Sequence, residues 1–98
     1  QHASYRRQRQ MCIRDSSRAI APEIAPRRIN VVSPGVIDTP MFGPESDQRQ
    51  NMLQAATAKN LIQRAGTPEE VAKAIIFVVE NAFVTGTTVE VDGGWILS

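Results

Sequence analysis

The sequence predicts an α/β fold, and specifically one edge of a larger parallel sheet. Three observations carry this. A short β-branched run, Ile29-Asn30-Val31-Val32-Ser33, is cut off by Pro34-Gly35. A strongly signalled helix spans Pro68 to Glu80, and an alternating run at Thr87 to Val91 follows it. Strand, helix and strand in that order define α/β architecture. Two short strands do not make an independently stable sheet, and parallel strands need cover on both faces. The 98 residues therefore read as an incomplete domain.

The elements can be justified in chain order. Residues 17–25 read as the end of a helix, with Pro22 poorly placed because it lacks an N–H and clashes one turn back. Pro26 with Arg27 and Arg28 reads as the stop. After the first strand, residues 36–46 hold two prolines and a glycine and read as a loop. Asp47 to Asn60 has helix-forming composition, with Met52, Leu53 and Ala56 on one face. A second loop is expected at Ala65-Gly66. For the next helix, Thr67 is the N-cap and Glu70 completes a capping box. Pro68 takes the first helical position, where its missing N–H costs nothing. Val71, Ile75, Val78 and Val79 recur at helical spacing and mark a buried face. Asp92-Gly93-Gly94 turns the chain after the last strand, and Trp95-Ile96-Leu97 is an apolar tail. A solvated role is expected for Arg64, although an acidic partner is within reach.

Composition excludes several classes. With 42% hydrophobic and 21% charged residues the chain is too apolar for a disordered one, and it holds no apolar run of 18 residues that could span a membrane. One cysteine makes no internal disulfide. A net charge of +1 gives no basis for nucleic-acid binding. Past Ser16 there is no His, Tyr or Cys. The commonest proton shuttles, the thiol nucleophile and any zinc or iron–sulfur site are therefore missing from the foldable part. No metal, nucleic-acid or membrane partner is expected, and a cytoplasmic location is expected; residues 1–16 do not read as a secretory signal, because no apolar stretch follows the basic residues.

Residues 1–16 stand apart. They carry four arginines against one aspartate and show no hydrophobic periodicity. One reading is a basic arm on a small non-catalytic interaction module. The favoured reading is a non-native segment. Arg6 to Ser16 reads RRQRQMCIRDS, which resembles the translation of a widely used tagmentation adapter. On that reading the native chain is the fragment 17–98.

Three motifs, INVVSPGVIDTPMF, GTPEEVAKAI and VTGTTVEVDGGW, occur in order. Together they resemble the C-terminal third of the short-chain dehydrogenase/reductase family. The resemblance covers roughly Arg18 to Trp95. It implies the C-terminal part of a Rossmann-type doubly wound parallel sheet that binds NAD or NADP. It also implies an oxidoreductase that interconverts an alcohol and a carbonyl on a small molecule, commonly as a homodimer or homotetramer. The family's glycine-rich pyrophosphate turn and its Tyr-x-x-x-Lys pair have no counterpart here; the only tyrosine is Tyr5, with Arg9 four residues on. No catalytic residue is therefore expected, and the chain alone is expected to be inactive.

What does match is the family's P-G-x-x-x-T, here Pro34-Gly35-Val36-Ile37-Asp38-Thr39. By pattern alone this stretch is a strand-ending turn with a Thr cap. The resemblance implies more. Pro34 and Gly35 would let the backbone pass close to the nicotinamide. Ile37 would offer its N–H and C=O to the carboxamide, and Thr39 its hydroxyl. Met41 and Phe42 either line a substrate pocket or pack.

Overall fold

The computed structural model describes residues 2–95, with the side chains of residues 2–7, 9 and 10 left aside. Its elements are α1 (His2–Ile24), β1 (Val31–Pro34), a 3₁₀ turn (Pro40–Phe42), α2 (Asp47–Ala56), α3 (Pro68–Glu80) and β2 (Thr88–Val91). The two strands are parallel, pairing Val31 with Thr88, Val32 with Val89, Ser33 with Glu90 and Pro34 with Val91. A parallel pair needs a long crossover. The loop, α2 and α3 supply it. α1 packs on β1, and α3 packs on both strands. The α/β expectation and the order of elements hold.

The first helix differs from expectation. It runs without a break through residues 2–24, the adapter-like stretch and Pro22 included. Residues 6–16 are mostly Arg, Gln, Met and Ile, which extend a helix readily once a turn exists. Lack of periodicity does not stop propagation. Pro22 sits two residues before the helix ends, so its missing N–H forfeits one bond near the terminus. Ser17 is buried, and its hydroxyl donates to the Arg14 carbonyl at 2.8 Å. Arg14 also crosses to β2, where its guanidinium pairs with the Glu90 carboxylate.

α3 keeps its expected bounds. The Thr67 hydroxyl accepts from the Glu70 N–H at 3.2 Å, and the Glu70 carboxylate accepts from the Thr67 N–H at 2.9 Å, closing the capping box. Its far end is held from a distance. The Arg28 guanidinium donates to the carbonyls of Val78 at 2.6 Å, Val79 at 2.9 Å, Val84 at 3.1 Å and Asn81 at 3.2 Å. α3 has no basic residue in its own last turn, so Arg28 supplies the cation that the negative helix end favours.

Two expectations about burial are corrected. Among the described residues the buried apolar side chains are Leu53 and Val78. In α3, Ile75 and Val79 are exposed, at 46% and 63%. In α2, Met52 is exposed while Leu53 is covered. Val71, Ala74 and Val78 form the covered side of α3, and Ile75 and Val79 flank it. A two-stranded sheet is too narrow to cover them. α2 is also shorter than expected. It stops at Ala56, because the buried Thr57 hydroxyl donates to the Leu53 carbonyl at 2.9 Å and closes the last turn.

The expected turn after β2 is present, with Gly93 and Gly94 at φ +63° and +82°. That left-handed backbone suits glycine. Ile96 and Leu97 of the apolar tail lie outside the described residues. No helix among the described residues is long and apolar enough to cross a membrane, and no cluster of potential metal ligands is found among them.

Candidate functional site

β1 ends where its backbone changes partner. The Gly35 N–H donates to the Val91 carbonyl at 3.0 Å, the last rung between the strands. The chain then bonds to a different neighbour. The Gly66 N–H donates to the Val36 carbonyl at 2.9 Å, and the Asp38 N–H donates to the Gly66 carbonyl at 2.9 Å. Ile37 thus lies opposite Gly66 in one further parallel bridge. In a parallel bridge of this form the flanking residues make the bonds, and the central residue's own N–H and C=O point away. Neither group of Ile37 takes part in a backbone bond among the described residues.

Ile37 also lines a groove at the carboxyl end of the strands. All six residues picked from the sequence, Pro34, Gly35, Ile37, Thr39, Met41 and Phe42, line this one groove, whose volume is about 620 Å³. In open α/β sheets the carboxyl edge is where ligands bind. Gly35 is required by contact. A Cβ there would lie 2.9 Å from both Cα and Cβ of Asp92, closer than real Cβ atoms come. Thr39 precedes the 3₁₀ turn in extended backbone, and its hydroxyl makes no capping bond. Met41 is 89% exposed, so it stands at the rim, whereas Phe42 is half-buried.

Three further lining residues were not picked out from the sequence as site residues: Val36, Pro68 and Val71. Pro68 and Val71 are three apart on α3, so they share a face of the helix, and that spacing was the available signal. Pro68 marks the helix start in the sequence and also walls the groove.

Two arginines flank the Ile37 segment. Arg49, on α2, donates from Nε and Nη2 to Asp38 Oδ1 at 3.1 and 2.5 Å, and from Nη1 to the Gly43 carbonyl at 2.9 Å. This ties the loop carrying Met41 and Phe42 to the next helix. Nothing in the sequence pattern indicated it. Arg64 is the other, and here the expectation of a solvated role is corrected. Its guanidinium meets the Glu70 carboxylate through two bonds, at 2.9 and 2.8 Å. This two-pronged pairing holds the Glu70 carboxyl down at about 2, with the Thr67 N–H helping, and raises the Arg64 guanidinium above its usual value.

A parallel strand pair covered by crossover helices, with a groove at its carboxyl edge, defines the class: one edge of a doubly wound α/β domain. The comparisons are more specific. A family model described as enoyl-(acyl carrier protein) reductase matches residues 8–96. The short-chain dehydrogenase/reductase ATR9 of Stachybotrys chlorohalonatus is 44% identical over 82 residues, which is 84% of this chain and 32% of that protein. Carbonyl reductase family member 4 of Xenopus tropicalis is 41% identical over 81 residues, 80% of this chain and 31% of that protein. Among solved structures, a small-chain dehydrogenase in complex with NADPH matches with TM-score 0.73 and 33% identity, over 88% of this chain and 40% of that one. The MalC reductase/Diels-Alderase of Malbranchea aurantiaca matches with TM-score 0.75 and 33% identity, over 88% of this chain and 34% of that one. The chain belongs to the short-chain dehydrogenase/reductase family. It spans about a third of the length of the curated relatives it matches, and its fold is part of a Rossmann-type domain.

Proposed function

We propose that this chain supplies the nicotinamide end of the cofactor site in an NAD- or NADP-dependent oxidoreductase that interconverts an alcohol and a carbonyl on a small molecule. The observation that carries the reading is Ile37 itself: among the described residues its N–H and C=O are unused by the backbone, and the residue lines a groove at the carboxyl end of the sheet. A carboxamide presents a complementary acceptor and donor, so a backbone pair reads it well. The reading is also supported by the likeness to a dehydrogenase in complex with NADPH.

The residues fit that ligand at one end. Pro34 and Gly35 bring the backbone close to the ring. Ile37 binds the carboxamide, and Thr39 gives its uncapped hydroxyl to the carboxamide or the pyrophosphate. Met41 and Phe42 contact the substrate. When bound, the nicotinamide supplies or accepts the hydride. Among the described residues no Tyr-x-x-x-Lys and no glycine-rich pyrophosphate turn is present, so the chain alone orients a cofactor and turns nothing over. A small-molecule substrate and assembly as a homodimer or homotetramer belong to the same reading of the parent protein.

The test is ligand-observed NMR of the purified chain with NADPH. Saturation should pass to the nicotinamide protons, and Ile37→Pro, which removes the N–H, should abolish it. Transfer that survives in Ile37→Pro, or no transfer in the wild type, rejects the reading. A turnover assay of the same sample should stay at background.

We also propose that residues 1–16 are foreign to the parent gene, on the strength of the RRQRQMCIRDS resemblance. The family match starts at residue 8 and so runs over part of this segment. Sequencing long, unfragmented native DNA across the junction decides it. Codons for Arg6 to Ser16 that persist in native DNA would sink the proposal.

A further inference from the structure

The groove's key peptide edge has a brace whose charged pair, Arg64 and Glu70, is not part of the groove lining. Arg64 Nη1 donates to the Ala65 carbonyl at 3.0 Å and to Glu70 Oε1 at 2.9 Å, while Nη2 holds Oε2 at 2.8 Å. The same Glu70 Oε1 accepts from the Thr67 N–H at 2.9 Å. The guanidinium and this one carboxylate therefore grip the chain on both sides of Gly66. Gly66 in turn makes both bonds that flank Ile37. The fit is close: a Cβ on Gly66 would lie 2.9 Å from Ile37 Cδ1. The Arg64 N–H donates to the Ile62 carbonyl at 2.9 Å, and the Ile62 N–H to the Gly93 carbonyl at 2.9 Å, beyond the β1–β2 ladder, whose last rung among the described residues is Gly35–Val91.

We propose that Arg64, through Glu70 and Gly66, is a positioning residue for cofactor binding: it fixes the Ile37 peptide edge without contacting the ligand. The inference rests on the carboxamide reading of that edge. Its physical basis is preorganisation, since a donor–acceptor pair held in place before binding loses less freedom on binding. Lysine has one ammonium where arginine has a planar fork, so Lys can meet only one of the two carboxylate oxygens at this geometry. Rescue by Arg64→Lys should therefore be partial.

The experiment is residue-by-residue amide hydrogen exchange on the full chain, for the wild type, Arg64→Gln, Arg64→Lys and Glu70→Gln. It is paired with the response of the Ile37 amide resonance to NADPH. In Arg64→Gln and in Glu70→Gln, the Asp38 and Gly66 amides should exchange about tenfold faster, the scale of one lost hydrogen bond's local stability. Gly35 and Val31, which donate to Val91 and Thr87 in the ladder, should keep their wild-type rates. Arg64→Lys should recover part of the protection. The NADPH response at Ile37 should weaken in the order wild type, Arg64→Lys, Arg64→Gln. Unchanged Asp38 and Gly66 amides beside a clear wild-type NADPH response would overturn the brace and leave the carboxamide reading standing. Equal acceleration of all four amides would also overturn it, as general loosening. No NADPH response at Ile37 in the wild type would remove the carboxamide reading instead, and the positioning role with it.

Discussion

The two ends of α3 are secured by different means. At the N-terminus every partner is local: Thr67, Pro68 and Glu70 lie within four residues, with Arg64 reinforcing the carboxylate. At the C-terminus the partner is Arg28, some fifty residues earlier in the chain, whose one guanidinium reaches four carbonyls. The contrast teaches where helix-end stability comes from. A local cap orders little chain to form. A remote one holds only while the segment that brings Arg28 there, at the entry to β1, is itself in place. The first end belongs to the helix, the second to the tertiary fold.

Substitutions at the two ends sharpen this contrast. The largest effect is expected for Arg28→Ala. It leaves the carbonyls of Val78, Val79, Asn81 and Val84 without their cationic donor, and hydrogen bonds from charged groups dominate the loss. Unfolding in urea should show a drop of about 2 kcal/mol, discounted for the partly solvated setting. Arg28→Lys should recover less than half, because an ammonium cannot span the same set of carbonyls. Next comes Thr67→Ala, at about 1 kcal/mol, the usual cost of an N-cap. If Thr67→Ala proves the costlier of the two, the contrast is broken. The double variant should cost the sum of the singles to within about 0.5 kcal/mol, since the ends share no partner. A larger coupling would mean that α3 transmits strain from end to end.

The smallest effect is electrostatic. Arg64 holds the folded-state Glu70 carboxyl at about 2, below its ordinary 4.5. A lowered carboxylate value means a contribution that is complete above pH 4.5 and fades as the pH falls towards 2. Stability of the wild type should therefore decline in that window more steeply than that of Glu70→Gln. Both side chains are exposed, so the difference should shrink in 1 M salt. A parallel decline in the two proteins would show that the pair contributes nothing through its charge.

The same division explains what the sequence could and could not reveal. α3 was legible to its last residue, because cap, first-turn proline and apolar spacing all lie inside it. The six groove residues were named through the family resemblance; pattern alone gave only a strand-ending turn, which after a parallel strand falls at the carboxyl edge. Arg28, Arg49 and Arg14 were not. Each acts on a group that only the folded backbone brings near, and an arginine gives no pattern that names its partner. The Arg64–Glu70 pair was within reach, six residues apart around a predicted cap, yet a solvated role was the expectation because the spacing alone names no partner. The run of α1 through Pro22 went unread because periodicity reports burial, and a helix propagating from an existing end needs none. Ile75 and Val79 show the converse: their spacing marks an apolar face, while the width of the sheet decides whether that face is covered.

That uncovered face has a consequence for the chain's life in solution. In α3, Ile75, Ile76, Phe77 and Val79 are each between 46% and 63% exposed, and Phe83, in the turn beyond the helix, is fully exposed. Apolar surface of this kind is what chaperones and quality-control proteases use to tell unfinished chains from finished ones. A cell expressing these 98 residues alone would meet a chain whose backbone is ordered and whose surface still signals incompleteness. Its abundance would then be governed less by how well it folds than by how quickly that surface is recognised.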